Sequence, residues 1–266
     1  MEYLKFILYG FIQGLTEFIP VSSTAHLKVL SLFFGFDDPG PSLSAIIQLG
    51  SVLALVFYFR KDIFKLRSQF SKNNFHHLMQ QRLLWSIFIG TIPIILLGGT
   101  IKLFFPYFFD KVLRSNLSIA LVSFFMAIFM YIADRSKKSS INLANHNFSD
   151  SFLIGLSQAF AIFPGVSRSG VTISTALVSG WERVDAAKFS FLLSMPAITI
   201  ASIAEFISSF NEFSSYNLFP IFIGLSTTFL SSLLAIDFLL KYFSSNGLKL
   251  FIIYRVLFGV VILVNL

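Results

Sequence analysis

Six apolar runs, each close to the ~20 residues that a helix needs to cross a bilayer, occupy residues 43–59, 83–105, 115–133, 187–208, 217–240 and 248–266. Such runs leave the chain few choices. Backbone N–H and C=O groups find no water in hydrocarbon, so each run must satisfy its own hydrogen bonds as a helix. With 55% hydrophobic and only 12% charged residues, the chain is too apolar for a soluble domain and reads as an integral membrane protein. Two further apolar stretches, 3–35 and 151–180, are interrupted near their middles by Pro and Ser, so each reads as two half-length helices around a turn. Non-helical backbone at that depth survives only inside protein or beside a water-filled cavity. The expected fold is therefore an all-α integral membrane protein, a polytopic bundle of about six full spans plus two re-entrant helix-turn-helix hairpins.

The net charge of +7 raises the question of nucleic acid, but the basic residues cluster between the spans. Arg60, Lys61, Lys65, Arg67, Lys72 and Arg82 share one connection, Arg135, Lys137 and Lys138 a second, and Lys241 and Lys249 mark a third. The positive-inside bias makes these cytoplasmic, whereas the 209–216 turn, with Asn211 and Glu212 and no Lys or Arg, reads as external. The expected surroundings are membrane lipid and no nucleic acid. Following the spans, hairpin 3–35 enters from the external side and hairpin 151–180 from the cytoplasm. Opposite entry is the mark of an inverted-topology repeat, which places its site near the midplane. Residues 1–266 then form a single transmembrane domain, with repeat 1 at about 1–133 and repeat 2 at about 151–266. No cysteine is present, which excludes disulfide and thiolate chemistry. Met1-Glu-Tyr-Leu-Lys5 lacks a basic region followed by a small-residue cleavage site, so no removable signal peptide is expected.

The two interruptions look alike. Gln13-Gly-Leu-Thr-Glu17-Phe-Ile-Pro20-Val-Ser22-Ser23-Thr24-Ala-His26 and Gln158-Ala-Phe-Ala-Ile-Phe-Pro164-Gly165-Val-Ser167-Arg168-Ser169-Gly170 each place a Gly three residues before the Gln, at Gly10 and Gly155, and end an apolar stretch at Pro and Ser. Ionisable groups at membrane depth are costly, so Glu17, His26 and Arg168 are functional candidates. In the first hairpin, a helix to about Phe18 puts Gln13 and Glu17 on one face. Pro20 breaks it. Ser22 or Ser23 then caps a new helix, whose free N–H groups suit an anion. His26 follows Ser23 by three residues and Ser22 by four, so imidazole and hydroxyl can share a face. Hydroxyl, imidazole and carboxylate supply a nucleophile, a proton carrier, and an orienting group or metal ligand. The plainer alternative is that the serines only cap and that His26 and Glu17 are structural.

In the second hairpin, Gly165 and Gly170 let backbone approach a ligand, and Arg168 between Ser167 and Ser169 has donors matched to phosphate oxygens. Thr172 and Ser174 carry the polar character into the following helix. The run reads as an anion cradle. It is not a P-loop, since no Gly-Lys-Ser/Thr follows a strand. Brought together, the tips combine a nucleophile and base with a phosphate clamp, an arrangement for phosphoryl transfer to water.

At these residues the chain resembles the undecaprenyl-diphosphate phosphatase family, the bacitracin-resistance proteins of bacterial inner membranes. The similarity covers length, hydropathy, the two polar runs, and the Ile47-Gln-Leu-Gly-Ser51 and Phe189-Ser-Phe-Leu-Leu193 segments. It implies hydrolysis of undecaprenyl diphosphate to the monophosphate, recycling the lipid carrier for cell-wall synthesis, with a divalent cation such as Mg or Ca. The family's acidic motif falls on Gln13 and Glu17, with Glu17 as metal ligand. Its catalytic Ser and His fall on Ser23 and His26, and its phosphate-binding Arg on Arg168. Gln13 is a variant that the motif admits, and Ala25 stands where many members have Gly. Ser167, Ser169, Ser22, Thr24, Gln13 and Thr172 complete the expected substrate-binding set, with Gln48 and Thr16 as further candidates. The resemblance implies a multi-pass protein of the bacterial inner membrane that acts on a polyprenyl diphosphate lipid, with a homodimer left open. An active site opening to the extracytoplasmic side follows from the external entry of the first hairpin. The rival reading is a transporter or flippase for a phosphate-bearing lipid, which would share the broken helices but does not need the Ser23, His26 and Glu17 set.

Overall fold

Pro20 and Pro164 stand at the two places where the chain, having entered the protein interior as a helix, turns and runs back out. In a computed structural model, which describes residues 2–35, 40–63, 75–105, 107, 112–136, 140–208 and 218–265, helix α1 (Glu2–Phe18) stops two residues before Pro20 and α2 (Ser23–Phe34) returns. In the second half α6 (Phe148–Ala159) runs into a single tight turn, Phe160–Ile162, and α7 (Arg168–Val178) returns. The second break therefore begins several residues ahead of its proline.

The remaining helices are α3 (Gly40–Tyr58), α4 (Phe75–Phe104), α5 (Asn116–Asp134), α8 (Arg183–Ser208), α9 (Leu218–Phe243) and α10 (Lys249–Val264). All six expected apolar runs are helical. Among the described residues, four segments are long and apolar enough to cross a membrane: Gln81–Ile101, Asn116–Asp134, Arg183–Ser208 and Leu218–Phe243. Helix α10, at 16 residues, and the apolar part of α3, Ser42–Tyr58, are shorter. The 209–216 turn, and Lys65, Arg67, Lys72, Lys137 and Lys138 of the basic connections, lie outside the described residues.

Each broken helix packs on a partner from the other half of the chain. Helix α1 lies along α9, and α6 lies along α4. Both crossings are set by glycine. A Cβ on Gly10 would collide with the Gly224 carbonyl, and one on Gly155 with the backbone of Gly90. Close approach of this kind drives helix association where lipid removes the hydrophobic incentive. Hydroxyls complete the first crossing, with Thr228 Oγ1 and Ser231 Oγ donating to Gly10 O at 3.1 and 3.3 Å. Small and polar side chains thus line these crossings, while Phe88, Leu96, Phe125 and Leu234 stand exposed on the outer faces, the distribution expected of a lipid-facing surface.

The second returning helix is held in the middle of this frame. Helix α7 packs against α5, α6 and α8 and is buried along nearly its whole length. The turn after it is fastened by a parallel bridge between Ile141 and Trp181, with Glu182 N–H donating to Ile141 O at 2.8 Å. Capping at Asn147 starts α6 with a reciprocal box to Asp150.

Candidate active site

Four donors converge on one carboxylate. Glu17, one turn below Gln13 on α1, accepts Gln13 Nε2 at 2.7 Å and Ser23 Oγ at 2.8 Å on Oε2. On Oε1 it accepts Gln48 Nε2 at 2.7 Å and Arg168 Nη2 at 2.9 Å. The Glu17 side chain is 4% exposed and that of Arg168 16%, so the ion pair lies in a largely desolvated place.

The tips are shaped to make this possible. Ser22 and Ser167 are the two non-glycine residues with positive φ among those described, at 78° and 69°. They hold equivalent places, each immediately before the first residue of a returning helix, Ser23 and Arg168. The left-handed region costs about 1–2 kcal/mol for such a residue. Strain of this size at matched positions in two tips marks a place where backbone direction matters more than comfort. Ser167 Oγ accepts the Gly170 N–H at 3.2 Å and so caps α7. Ser169 Oγ reaches back to Glu17 O and Ile19 O at 3.4 and 3.3 Å, tying the second tip to the first.

Between the tips lies a polar cleft lined by Glu17, Ser22, Ser23, Thr24, Ser167 and Arg168, with Thr16, Gln48 and Gly165 at its walls and Ala161 and Phe163 as its apolar edge. Most of the residues singled out in the sequence therefore come together here. Gln13 joins through Glu17. Thr172 does not reach the cleft; it donates to Arg168 O at 2.7 Å and meets Ser190 Oγ at 2.6 Å, joining α7 to α8.

His26 departs furthest from the expected arrangement. Its ring does not meet the Ser23 hydroxyl, which is turned to Glu17. Instead Nδ1 lies 2.7 Å from Ser22 O, and Nε2 lies 2.6 Å from the Tyr254 hydroxyl. A carbonyl only accepts, so Nδ1 carries the proton, and a neutral ring then accepts from Tyr254 at Nε2. The ring is stacked on Phe258 with centroids 4.2 Å apart. Thus His26 stands behind the first tip and holds its carbonyl.

Helix α10 supplies the residues that sequence reasoning passed over. Besides Tyr254 it places Arg255 in the interior, fully buried, with its guanidinium on the carbonyls of both tips. A cation well inside the 248–266 apolar run, six residues beyond Lys249 at its start, met the same criterion that singled out Arg168, so the signal was present.

Comparison with known proteins agrees with the motifs. A protein of Prochlorococcus marinus (strain MIT 9312) named undecaprenyl-diphosphatase is 80% identical over 265 residues, covering 100% of this chain and 99% of the relative. One of the same name from strain MIT 9301 is 77% identical over 266 residues, covering 100% of both. At greater distance, a further one from strain MIT 9303 is 44% identical over 260 residues, covering 97% of this chain and 89% of the relative. A family model described as bacitracin resistance protein BacA matches residues 6–261, and the chain belongs to that family.

Proposed function

We propose that the protein hydrolyses undecaprenyl diphosphate to undecaprenyl phosphate and inorganic phosphate, recycling a lipid carrier. The observation that carries this reading is the meeting of Ser23 and Arg168 on the two oxygens of Glu17. A hydroxyl already donating to a carboxylate can lose its proton as it attacks. Arg168 offers a planar fork to the phosphate that is attacked. In the proposed sequence Ser23 Oγ attacks the terminal phosphorus and its proton passes to Glu17. The bond from that phosphorus to the bridging oxygen breaks, and the lipid monophosphate leaves. Water then cleaves the phosphoserine and releases inorganic phosphate. Arg168, with Ser167, Ser169 and the N–H groups opening α7, stabilises the charge that builds on the phosphoryl oxygens. Ser22 and Thr24 flank the nucleophile as substrate contacts. His26 contributes by fixing the Ser22 carbonyl and with it the direction of Ser23.

A divalent cation of the Mg or Ca kind fits the donor set. Glu17 and the Ser23 hydroxyl present oxygen, the ligand type that these hard cations take, while the amides of Gln13 and Gln48 turn their nitrogens to Glu17 and would present oxygen to a cation on rotation. Such a cation would neutralise diphosphate charge. Gln13 in place of an acid leaves Glu17 as the single carboxylate lining the cleft among the described residues.

The proposed architecture is six spans, including α3 and α10, with α1–α2 and α6–α7 as re-entrant hairpins of an inverted repeat. The helix pairs support it: exchanging α1–α5 for α6–α10 converts the α1 and α9 pair into the α6 and α4 pair, and leaves α3 with α8 and α5 with α10. The proposed setting is the bacterial inner membrane with the cleft open to the extracytoplasmic side. The chain has no cysteine, so a cysteine at Asp38 tests sidedness directly; labelling only from the cytoplasm would reverse the orientation.

The function is tested by phosphate release from undecaprenyl diphosphate by purified protein, with and without chelator, for the wild type and for Ser23→Ala and Arg168→Ala. Cation-dependent release that collapses in both folded variants is the expected result. A well-folded wild type that releases nothing with either cation would recast the same residues as the binding site of a lipid-phosphate carrier.

A further inference from the structure

Arg255 is the largest fully buried side chain among those described, and its hydrogen bonds are unusual for a buried cation. Nε donates to Ser123 O at 3.4 Å, Nη1 to Pro20 O at 3.3 Å and Val166 O at 3.4 Å, and Nη2 to Gly165 O. Every one of these partners is a backbone carbonyl, and no carboxylate is among them. Burying a charge without a counter-charge is expensive, and joining membrane helices does not require it, as the hydroxyls on Gly10 O show. What the guanidinium offers is five donors in one plane, enough to serve carbonyls of both tips at once. Pro20, Gly165 and Val166 all lie between helices, where carbonyls have no partner in a helical ladder.

The direction of those carbonyls fixes the direction of the N–H groups that follow them. None of the described peptide bonds is cis, so within each peptide unit C=O and N–H point opposite ways. The Val21 and Val166 N–H groups are taken up by Ile19 O at 2.7 Å and Phe163 O at 3.1 Å. The peptide between Val166 and Ser167 is different. Its carbonyl is drawn to Arg255, its N–H is turned the other way, and Ser167 lines the cleft beside Arg168. No described acceptor meets that N–H.

We infer that Arg255 is a positioning residue for the reaction: by drawing the Val166 carbonyl it aims the Ser167 N–H at the terminal phosphoryl group, making that backbone donor part of the charge-stabilising set. The inference rests on the phosphatase reading. The positive φ of Ser167 fits it, because this conformation is what lets the preceding peptide face Arg255 while the Ser167 hydroxyl still caps α7.

The test is Arg255→Lys, which keeps the charge and loses the fork. The kcat for undecaprenyl diphosphate is expected to fall about 100-fold, the effect of removing one preorganised donor to a developing oxyanion, with KM changed by less than about threefold. Inhibition by vanadate, a mimic of the five-coordinate phosphorus, should weaken by a similar factor to kcat. A kcat within about threefold of wild type, or a loss carried by KM alone, would overturn the inference, the second outcome assigning Arg255 a general charge role. A purely structural role would lower thermal stability and the folded fraction while leaving kcat per folded molecule unchanged, which also overturns it. Should Arg255→Lys not fold, Ser123→Ala keeps the guanidinium but removes the 3.1 Å bond from Ser123 Oγ to Arg255 O that helps seat it against the two tips. It should lower kcat about tenfold at constant KM, and an unchanged kcat would refute the inference. Wild-type release in the same preparation separates failure of this inference from failure of the phosphatase reading.

Discussion

Ser23 donates its hydroxyl proton to Glu17 at 2.8 Å, on the carboxylate oxygen that Arg168 leaves free. Nucleophile and phosphate ligand are therefore held apart by the width of one carboxylate, and both depend on its charge. Glu17→Gln tests this dependence with little change of shape. It removes the proton acceptor of Ser23 and the counter-charge of Arg168 together. We expect kcat to fall about 1,000-fold, within the range of a lost general base. KM should stay level or drop, because an unpaired Arg168 binds the diphosphate more readily. Steady-state phosphate release checks both; a rise in KM with kcat retained would make Glu17 a binding group only.

The helix crossings make a second prediction. Gly155→Val places a side chain against the backbone of Gly90, and backbone cannot move aside as a flexible side chain can. Separation of α6 from α4 should cost about 1–3 kcal/mol, the usual penalty of overpacking. Activity should fall with it, since α6 carries the second tip. Gly99→Ala is the control on the same helix α4, where an added Cβ meets nothing within 4 Å. It should be neutral or raise stability by up to about 1 kcal/mol. Thermal unfolding in detergent distinguishes the two.

Much of this arrangement was legible in the chain because its causes are local. A proline after Phe18 and serines at 22 and 23 are sufficient to end α1 and begin α2 where they do. The likeness of the Gly10/Gln13 and Gly155/Gln158 pairs foreshadowed two similar packings. What packs there was not legible, because Gly224 and Gly90 are distant in sequence. The likeness also has a limit with a physical sense: Gln13 meets Glu17, whereas Ile162 stands four residues after Gln158, whose buried amide has no described partner. Only one hairpin carries the acid. The orientation of His26 could not be read from spacing, since it follows from the left-handed turn at Ser22 and from Tyr254, 228 residues away.

That position of His26 gives a third prediction. As a support of the Ser22 carbonyl, His26 should matter strongly and its outer partner weakly. His26→Ala should lower kcat about 100-fold through misdirection of Ser23. Tyr254→Phe keeps the stacked ring and removes only the hydroxyl at Nε2, so it should cost about threefold, near one net hydrogen bond. Equal, large losses in the two variants would show that the proton at Nε2 takes part in turnover.

The last prediction concerns pH and the connection before α6, away from the membrane-spanning helices. His146 is buried, with Nε2 3.0 Å from Ser86 Oγ and Nδ1 3.0 Å from Leu143 O, and its ring packs against Trp181. Burial holds its pKa below the ordinary 6.5; the Leu143 carbonyl opposes this and the nearby Arg82 adds to it. The folded protein therefore binds this proton less readily than the unfolded chain does. The stability that follows is fully present above about pH 6.5 and is lost as pH falls from there toward the lowered folded value. Protonation would also put a second donor against Ser86 and a charge beside Arg82, which donates to His146 O at 3.1 Å. His146→Gln keeps a polar side chain at this position but cannot titrate. The thermal midpoint of the wild type should decline more steeply between about pH 7.5 and pH 5 than that of the variant. Parallel declines would place the acid sensitivity elsewhere in the protein.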